Sequence, residues 1–135
     1  MKILITTVPF GQVDAKPLKD LANNNIEYTI NPLGRKLQPG ELAELIDDFD
    51  IVIAGTEKID KKVFDRAKKL KFISRVGIGL DGIDLNYARE KGVKISYPPD
   101  APAPAVAELT IGLMISLARS VNRSNLNIKN GKWER

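Results

Sequence analysis

Neither cysteine nor histidine occurs among the 135 residues. The first absence excludes disulfides, thiolate nucleophiles and every cysteine-ligated metal site. The second removes the side chain that most often moves protons near neutral pH, so these residues cannot assemble a Ser-His-Asp triad or a histidine zinc site. No block of one charge sign is present either. The 21 Lys and Arg against 17 Asp and Glu leave a net charge of +4, spread along the chain. Tracking a phosphate backbone needs a clustered basic face, so nucleic acid is not an expected partner. A secretory leader is also missing: Lys2 precedes only Ile3 to Val8 before Pro9, too short an apolar core and without a small-residue cleavage pattern. The cytoplasm is the expected compartment. What remains, 43% apolar and 28% charged residues, is the composition of an ordinary soluble globular protein, and the length suits one domain.

Short β-branched runs alternate with amphipathic stretches. Residues 2–7, 26–30, 50–55, 72–76 and 93–97 read as strands, with Pro9 and Gly11 stopping the first. Between them, residues 14–25, 40–48, a segment capped by Asp60, and residues 85–91 behind Asp84 read as helices, the last stopped by Gly92. Five strands separated by helices predict the α/β class, with a parallel sheet covered on both faces. Right-handed crossovers then favour a doubly wound, flavodoxin-like arrangement with strand order 2-1-3-4-5.

The composition changes after Tyr97. Four prolines fall within residues 98–104, which excludes regular helix until the end of that segment and predicts a stiff hinge at residues 100–104. Pro104 suits the first turn of a helix. Residues 105–118 follow with one charge, Glu108, and apolar side chains on nearly every side of a helical wheel. Such a helix needs cover all round. It is shorter than the roughly 20 apolar residues of a membrane span, so the cover expected is protein: another domain, or a second copy of the chain. Glu108 is expected to find hydrogen-bond donors near the helix start. Residues 120–135 become polar, with Leu126, Ile128 and Trp133 as the apolar exceptions.

Gly77-Ile78-Gly79-Leu80-Asp81-Gly82 fits the G-x-G-x-x-G spacing between a strand and a helix. The dinucleotide reading is set aside, because the loop follows the fourth strand and the helix cap, Asp84, lies beyond the third glycine. Two readings stay open for the loop. One is a nest of backbone N–H groups for a small carboxylate, with Arg75 adding positive charge; the other is a tight strand-to-helix turn without a ligand. Thr56, Glu57 and Lys58 follow the third strand at the same sheet edge and read as a solvated loop able to line the crevice. Asp81 reads as a turn residue and Asp84 as a cap, rather than as paired acid–base carboxylates. An FMN carrier would need a phosphate loop after the first strand, and Thr6-Thr7-Val8-Pro9-Phe10-Gly11 is a poor one.

The run Arg75-Val76-Gly77-Ile78-Gly79-Leu80-Asp81-Gly82-Ile83-Asp84, then Gly92-Val93, the proline stretch, Val106-Ala107-Glu108-Leu109-Thr110 and Gly131-Lys132-Trp133, resembles the D-isomer-specific 2-hydroxyacid dehydrogenases, with phosphoglycerate dehydrogenases looking nearest. The resemblance runs collinearly over the whole chain. It implies a flavodoxin-like substrate-binding domain over residues 1–99, the hinge at 100–104, and the start of a nicotinamide-nucleotide domain over 105–135. It also implies that amides of Val76, Gly77 and Ile78 hold the substrate carboxylate, with Gly55 and Thr56 near the same pocket. Gly79 and Arg75 join this set as the nest and its charge. The helix 104–119 would take part in dimerisation, and its exchange between copies is expected.

The family's own dinucleotide fingerprint follows a stretch like Gly131-Lys132-Trp133, and its catalytic Arg, Glu and His lie later still, so none has a counterpart here. The family often carries Asn-Thr where this chain has Pro102-Ala103, and some phosphoglycerate enzymes place an Arg near Ala54–Gly55 that is missing here. The expectation is therefore the N-terminal, substrate-binding portion of an NAD-dependent enzyme acting on a small 2-hydroxy or 2-oxo acid. Such a portion would bind no NAD and be inactive alone. A non-catalytic anion-binding or assembly module is the alternative.

Overall fold

The computed structural model describes residues 1–133. In chain order its elements are β1 (Lys2–Ile5), α1 (Lys16–Asn23), β2 (Glu27–Ile30), α2 (Glu41–Leu45) continued by a 3-10 turn at Ile46–Asp48, β3 (Ile51–Ala54), α3 (Lys61–Arg66), β4 (Phe72–Arg75), α4 (Leu85–Glu90), β5 (Lys94–Ser96), α5 (Ala103–Ala118) and α6 (Val121–Lys129). The strands form one sheet in the order β2-β1-β3-β4-β5, and every pairing is parallel, as the alternation of strands and helices predicts.

Register places the core. Leu4 lies opposite Val52, and Val52 opposite Ile73. All three are at most 1% exposed. Burying each such side chain stabilises the fold by about 1.5–3 kcal/mol relative to exposure. Ile46 and Phe64, from the crossovers, close on the same cluster. Asp60 starts α3 by accepting the Lys62 and Val63 N–H groups at 3.1 and 3.3 Å, and Asp84 starts α4 by accepting the Tyr87 N–H at 3.0 Å. Gly92, with φ of +69°, ends α4 in the left-handed conformation that glycine adopts without steric penalty. The expected caps and stop are thus in place. Several elements are shorter than the sequence suggests: β1 ends at Ile5 rather than Thr7, although the Thr6 N–H still reaches Ile53 O at 3.0 Å.

Contacts divide the chain into two units, Met1–Pro99 and Asp100–Arg135. The second holds α5 and α6. Pro104 sits in the first turn of α5, where its missing N–H leaves no bond unmade. No residue of α5 is buried within the chain, and Leu117 is 81% exposed. The expectation for Glu108 is corrected: it is exposed and makes no hydrogen bond among the described residues, lying beyond the first turn whose amides could have served it. The helix α6 is a further departure from the polar tail read in the sequence. Its apolar residues are Val121, Leu126 and Ile128, of which only Val121 and Ile128, seven apart, share a helical face. Ser120, at φ of +50°, breaks α5 from α6, which meet at a bend of 65°. Among the described residues no single helix is long and apolar enough to cross a membrane; α5 and α6 reach that length only as the bent pair.

The amino edge of the sheet carries exposed ion pairs. Asp48 accepts from Lys2 at 2.7 Å and from Lys69 at 2.5 Å, and those two ammonium groups hold its carboxyl down at about 2. In the turn after β2, away from the amino edge, Arg35 grips Glu41 through two nitrogens at 2.9 and 2.7 Å and holds it likewise at about 2. A carboxyl depressed in the folded state adds stability above its unfolded pKa and loses it as pH falls through the folded value. Urea unfolding should therefore show stability falling between about pH 4 and pH 2, with a shallower fall in Asp48→Asn and in 1 M NaCl, since exposed pairs are screened. Independently, Ile73→Ala should cost about 2–5 kcal/mol in the same measurement.

Candidate functional site

Parallel pairing brings the carboxyl ends of all five strands to one edge, and the polar interior of the protein is concentrated there. The buried polar residues among those described are Thr6, Asn31 and Glu57, which directly follow β1, β2 and, two residues on, β3. Asn31 continues the ladder with its N–H on Ile5 O at 2.8 Å, while its side-chain amide donates to Arg35 O at 2.8 Å and its oxygen accepts the Leu33 N–H at 3.0 Å. Glu57, only 8% exposed, turns inward. Its Oε1 accepts the Gly55 N–H at 2.9 Å and the Thr6 hydroxyl in a short contact. The solvated-loop reading of residues 56–58 is therefore corrected at Glu57 and holds for Thr56 and Lys58, which are exposed.

Gly55 has no room for a side chain. A Cβ there would stand 2.8 Å from Thr7 Oγ1 and 2.9 Å from Glu57 Oε2. Gly55 and Thr56 line a cavity of about 270 Å³ with Thr6, Thr7 and Lys36. A second cavity of about 370 Å³ shares Lys36, Thr56 and Glu57 with it. A larger cleft of about 760 Å³ lies beside the starts of α3 and α4. That cleft is lined by charges of both signs, and its Asp60 and Asp84 are already bound to their own helix amides.

One strand over, Arg75 joins the two loops. Its Nη1 donates to Ala54 O at 3.3 Å and, in a shorter contact, to Gly55 O; its Nε donates to Gly79 O at 2.9 Å. Among the described residues no acceptor reaches Nη2. The loop amides divide into two groups. The Val76 N–H donates to Ala54 O at 3.0 Å, continuing the sheet. The Gly77, Ile78 and Gly79 N–H groups have no acceptor among the described residues. The structure thus brings Gly55, Arg75 and Gly79 together through hydrogen bonds, with Gly77 and Ile78 held on the loop they define. Thr56 lies on the cavity side of Gly55 and makes no hydrogen bond among the described residues.

The three glycines of the loop serve different ends. None of Gly77, Gly79 and Gly82 has positive φ. At Gly82 a Cβ would meet Glu57 O at 3.1 Å, so packing requires glycine there. The same contact belongs to a latch between loops: Ile59 N–H donates to Gly82 O at 2.7 Å, and Asp84 N–H to Ile59 O at 2.9 Å. At Gly77 a Cβ would meet only Arg75 Nη1 and Nη2, both at 3.9 Å, an ordinary contact. Neither conformation nor packing calls for glycine at 77. What its bareness does is open the amides.

This loop does not fit a dinucleotide. The helix behind it starts at Leu85, three residues past Gly82, and Asp84 sets a carboxylate on its first-turn amides where a pyrophosphate would have to lie. The group can bind and orient a small anion; among its residues are no paired carboxylates and no histidine for proton transfer. Reading the sequence missed Glu57, Thr6 and Asn31 as buried polar residues. No local pattern marks them, since each sits one to three residues past a strand among loop-like neighbours.

The family described as "D-isomer specific 2-hydroxyacid dehydrogenase, catalytic domain" matches residues 3–130. The chain is 43% identical over 100 residues to the hydroxypyruvate reductase of Thermotoga maritima, covering 73% of this chain and 33% of that protein. It is 43% identical over 97 residues to the D-3-phosphoglycerate dehydrogenase of Methanocaldococcus jannaschii, covering 70% and 18%. The solved structure of NAD+-bound 3-phosphoglycerate dehydrogenase from Entamoeba histolytica matches with a TM-score of 0.75 at 32% identity, over 86% of this chain and 38% of that one. The chain spans a third or less of the length of these two curated relatives. With the strand order, the glycine loop and a match over nearly its whole length in agreement, the chain belongs to the D-isomer-specific 2-hydroxyacid dehydrogenase family.

Proposed function

We propose that residues 1–99 form the substrate-binding side of an NAD-dependent D-2-hydroxyacid dehydrogenase and that the loop 77–79 holds the substrate's carboxylate. The observation that carries this reading is the set of unengaged donors: the amides of Gly77, Ile78 and Gly79, beside an Arg75 Nη2 with no acceptor. Amide N–H groups and a guanidinium suit a carboxylate, and charge-assisted bonds to it are the strong kind. The relatives' names speak of hydroxypyruvate and 3-phosphoglycerate, which share a carboxylate next to the reacting carbon. The substrate class is a small 2-oxo or 2-hydroxy acid.

NAD is the cofactor of this reading, as in the NAD+-bound relative from Entamoeba histolytica, and in such enzymes it exchanges hydride with the substrate carbon. No part of that exchange is assigned to residues 1–135, whose task is binding and orientation. Residues 105–135 begin the nucleotide-binding domain, behind a hinge shortened to residues 100–102, since α5 already starts at Ala103. The exposed apolar face of α5 serves self-association through the 104–119 helix, with the helix exchanged between copies. The cytoplasm is the compartment of this reading.

Three measurements test it. Titrating the 135-residue chain with pyruvate should move the NMR amide signals of Gly77, Ile78 and Gly79, while NADH oxidation with 2-oxo acids should show no turnover; silent amides or measurable turnover would each overturn it. Gly77→Ala should keep its thermal midpoint yet weaken pyruvate binding about tenfold, whereas Gly82→Ala should lose about 1–3 kcal/mol of stability. Deleting residues 104–135 should leave a soluble monomer by light scattering; an unchanged particle size would rule out association through α5.

A further inference from the structure

We infer that Glu57 is a positioning residue: its carboxylate fixes Gly55, and through Gly55 it fixes the Arg75 guanidinium beside the amides of Gly77–Gly79. The inference rests on the reading of that loop as a carboxylate site.

Glu57 is buried, with 8% of its surface exposed, and makes no ion pair among the described residues. A buried carboxylate without a cation in contact is unfavourable for the fold, and an apolar residue would fill the space at lower cost. Its surroundings show what the charge does. Oε1 accepts the Gly55 N–H at 2.9 Å and also the Thr6 hydroxyl. The carbonyl of the same glycine accepts Arg75 Nη1. An anion therefore holds Gly55 by its N–H and a cation holds it by its C=O, both through charge-assisted hydrogen bonds. Slack is small, since even a Cβ on Gly55 would stand 2.9 Å from Glu57 Oε2.

The consequence reaches the loop through the shape of arginine. A guanidinium is a rigid planar fork. Its Nη1 is set on Ala54 O at 3.3 Å and on Gly55 O, and its Nε on Gly79 O at 2.9 Å. With those two edges set, the direction of Nη2 is set as well, and a Cβ on Gly77 would lie 3.9 Å from it. Glu57 touches no loop amide; it acts through Gly55 and Arg75. Thr6 supports it from the end of β1 by donating to the carboxylate.

The test compares wild type with Glu57→Gln by NMR, following the Arg75 Nε–H signal and the pyruvate titration. Glutamine keeps an oxygen for the Gly55 N–H but removes the charge. The expected result is an unchanged thermal midpoint, a displaced Arg75 Nε–H signal exchanging with water about tenfold faster, and pyruvate binding weakened by a similar factor. An Arg75 Nε–H signal and a pyruvate affinity both equal to wild type would overturn the inference. Should wild type itself fail to bind pyruvate, the carboxylate reading falls, and the Arg75 Nε–H signal in Glu57→Gln alone decides: displaced, the clamp stands; unmoved, it is wrong. If Glu57→Gln does not fold, Thr6→Val, which leaves the charge but removes a hydroxyl that both donates to the carboxylate and accepts the same Gly55 N–H at 3.2 Å, takes the same two readings. It should displace the Arg75 signal in the same direction, and an unmoved signal there overturns the clamp.

Discussion

Parallel pairing is the constraint from which the arrangement follows. Every strand in this sheet runs the same way, so each must be followed by a crossover, and each crossover begins at the same edge. Residues far apart in the chain, Thr6, Asn31, Gly55 and Arg75, are thereby delivered to neighbouring positions without any local signal that they belong together. The buried apolar row of Leu4, Val52 and Ile73 holds the strands in register, and the register decides which strand-end groups meet. A slip of one residue would turn every side chain to the other face and part Gly55 from Arg75.

The two edges of the sheet solve the same problem differently. At the amino edge, Lys2, Asp48, Lys69, Asp50 and Lys71 form pairs on the surface, where water screens them and each is worth little. At the carboxyl edge Thr6, Asn31 and Glu57 are inside, and every buried side-chain nitrogen or oxygen among the described residues has a partner. Interior hydrogen bonds fix geometry far better than surface ion pairs, because the surrounding packing leaves the groups few alternatives. The rigid edge is the one that carries the glycine loop.

Much of the fold was legible in the chain. The β-branched runs, the caps at Asp60 and Asp84 and the stop at Gly92 are local signals with local causes, and they sufficed for strand order. The glycine loop was legible as a donor-rich turn. The engagement of the Val76 amide with Ala54 was not, since it depends on a partner 22 residues earlier that only the sheet brings alongside. The inward turn of Glu57 was hidden for the same reason: its neighbours Thr56 and Lys58 are exposed, and nothing in Gly-Thr-Glu-Lys distinguishes the middle carboxylate. The helix α6 escaped because Asn and Ser are weak helix formers and only Val121 and Ile128 of its apolar residues recur at helical spacing.

The latch between Ile59 and Ile83 makes one piece of backbone out of two loops that are separate in sequence. Changes of length are therefore not equivalent around this edge. A single insertion between Gly55 and Ile59, or between Gly79 and Ile83, would shear the latch and carry the opposite loop with it. Divergence of this scaffold toward new substrates is channelled accordingly: exposed side chains such as Thr56 and Ile78 have room to change, while Gly55 and the residue count of the latched loops do not.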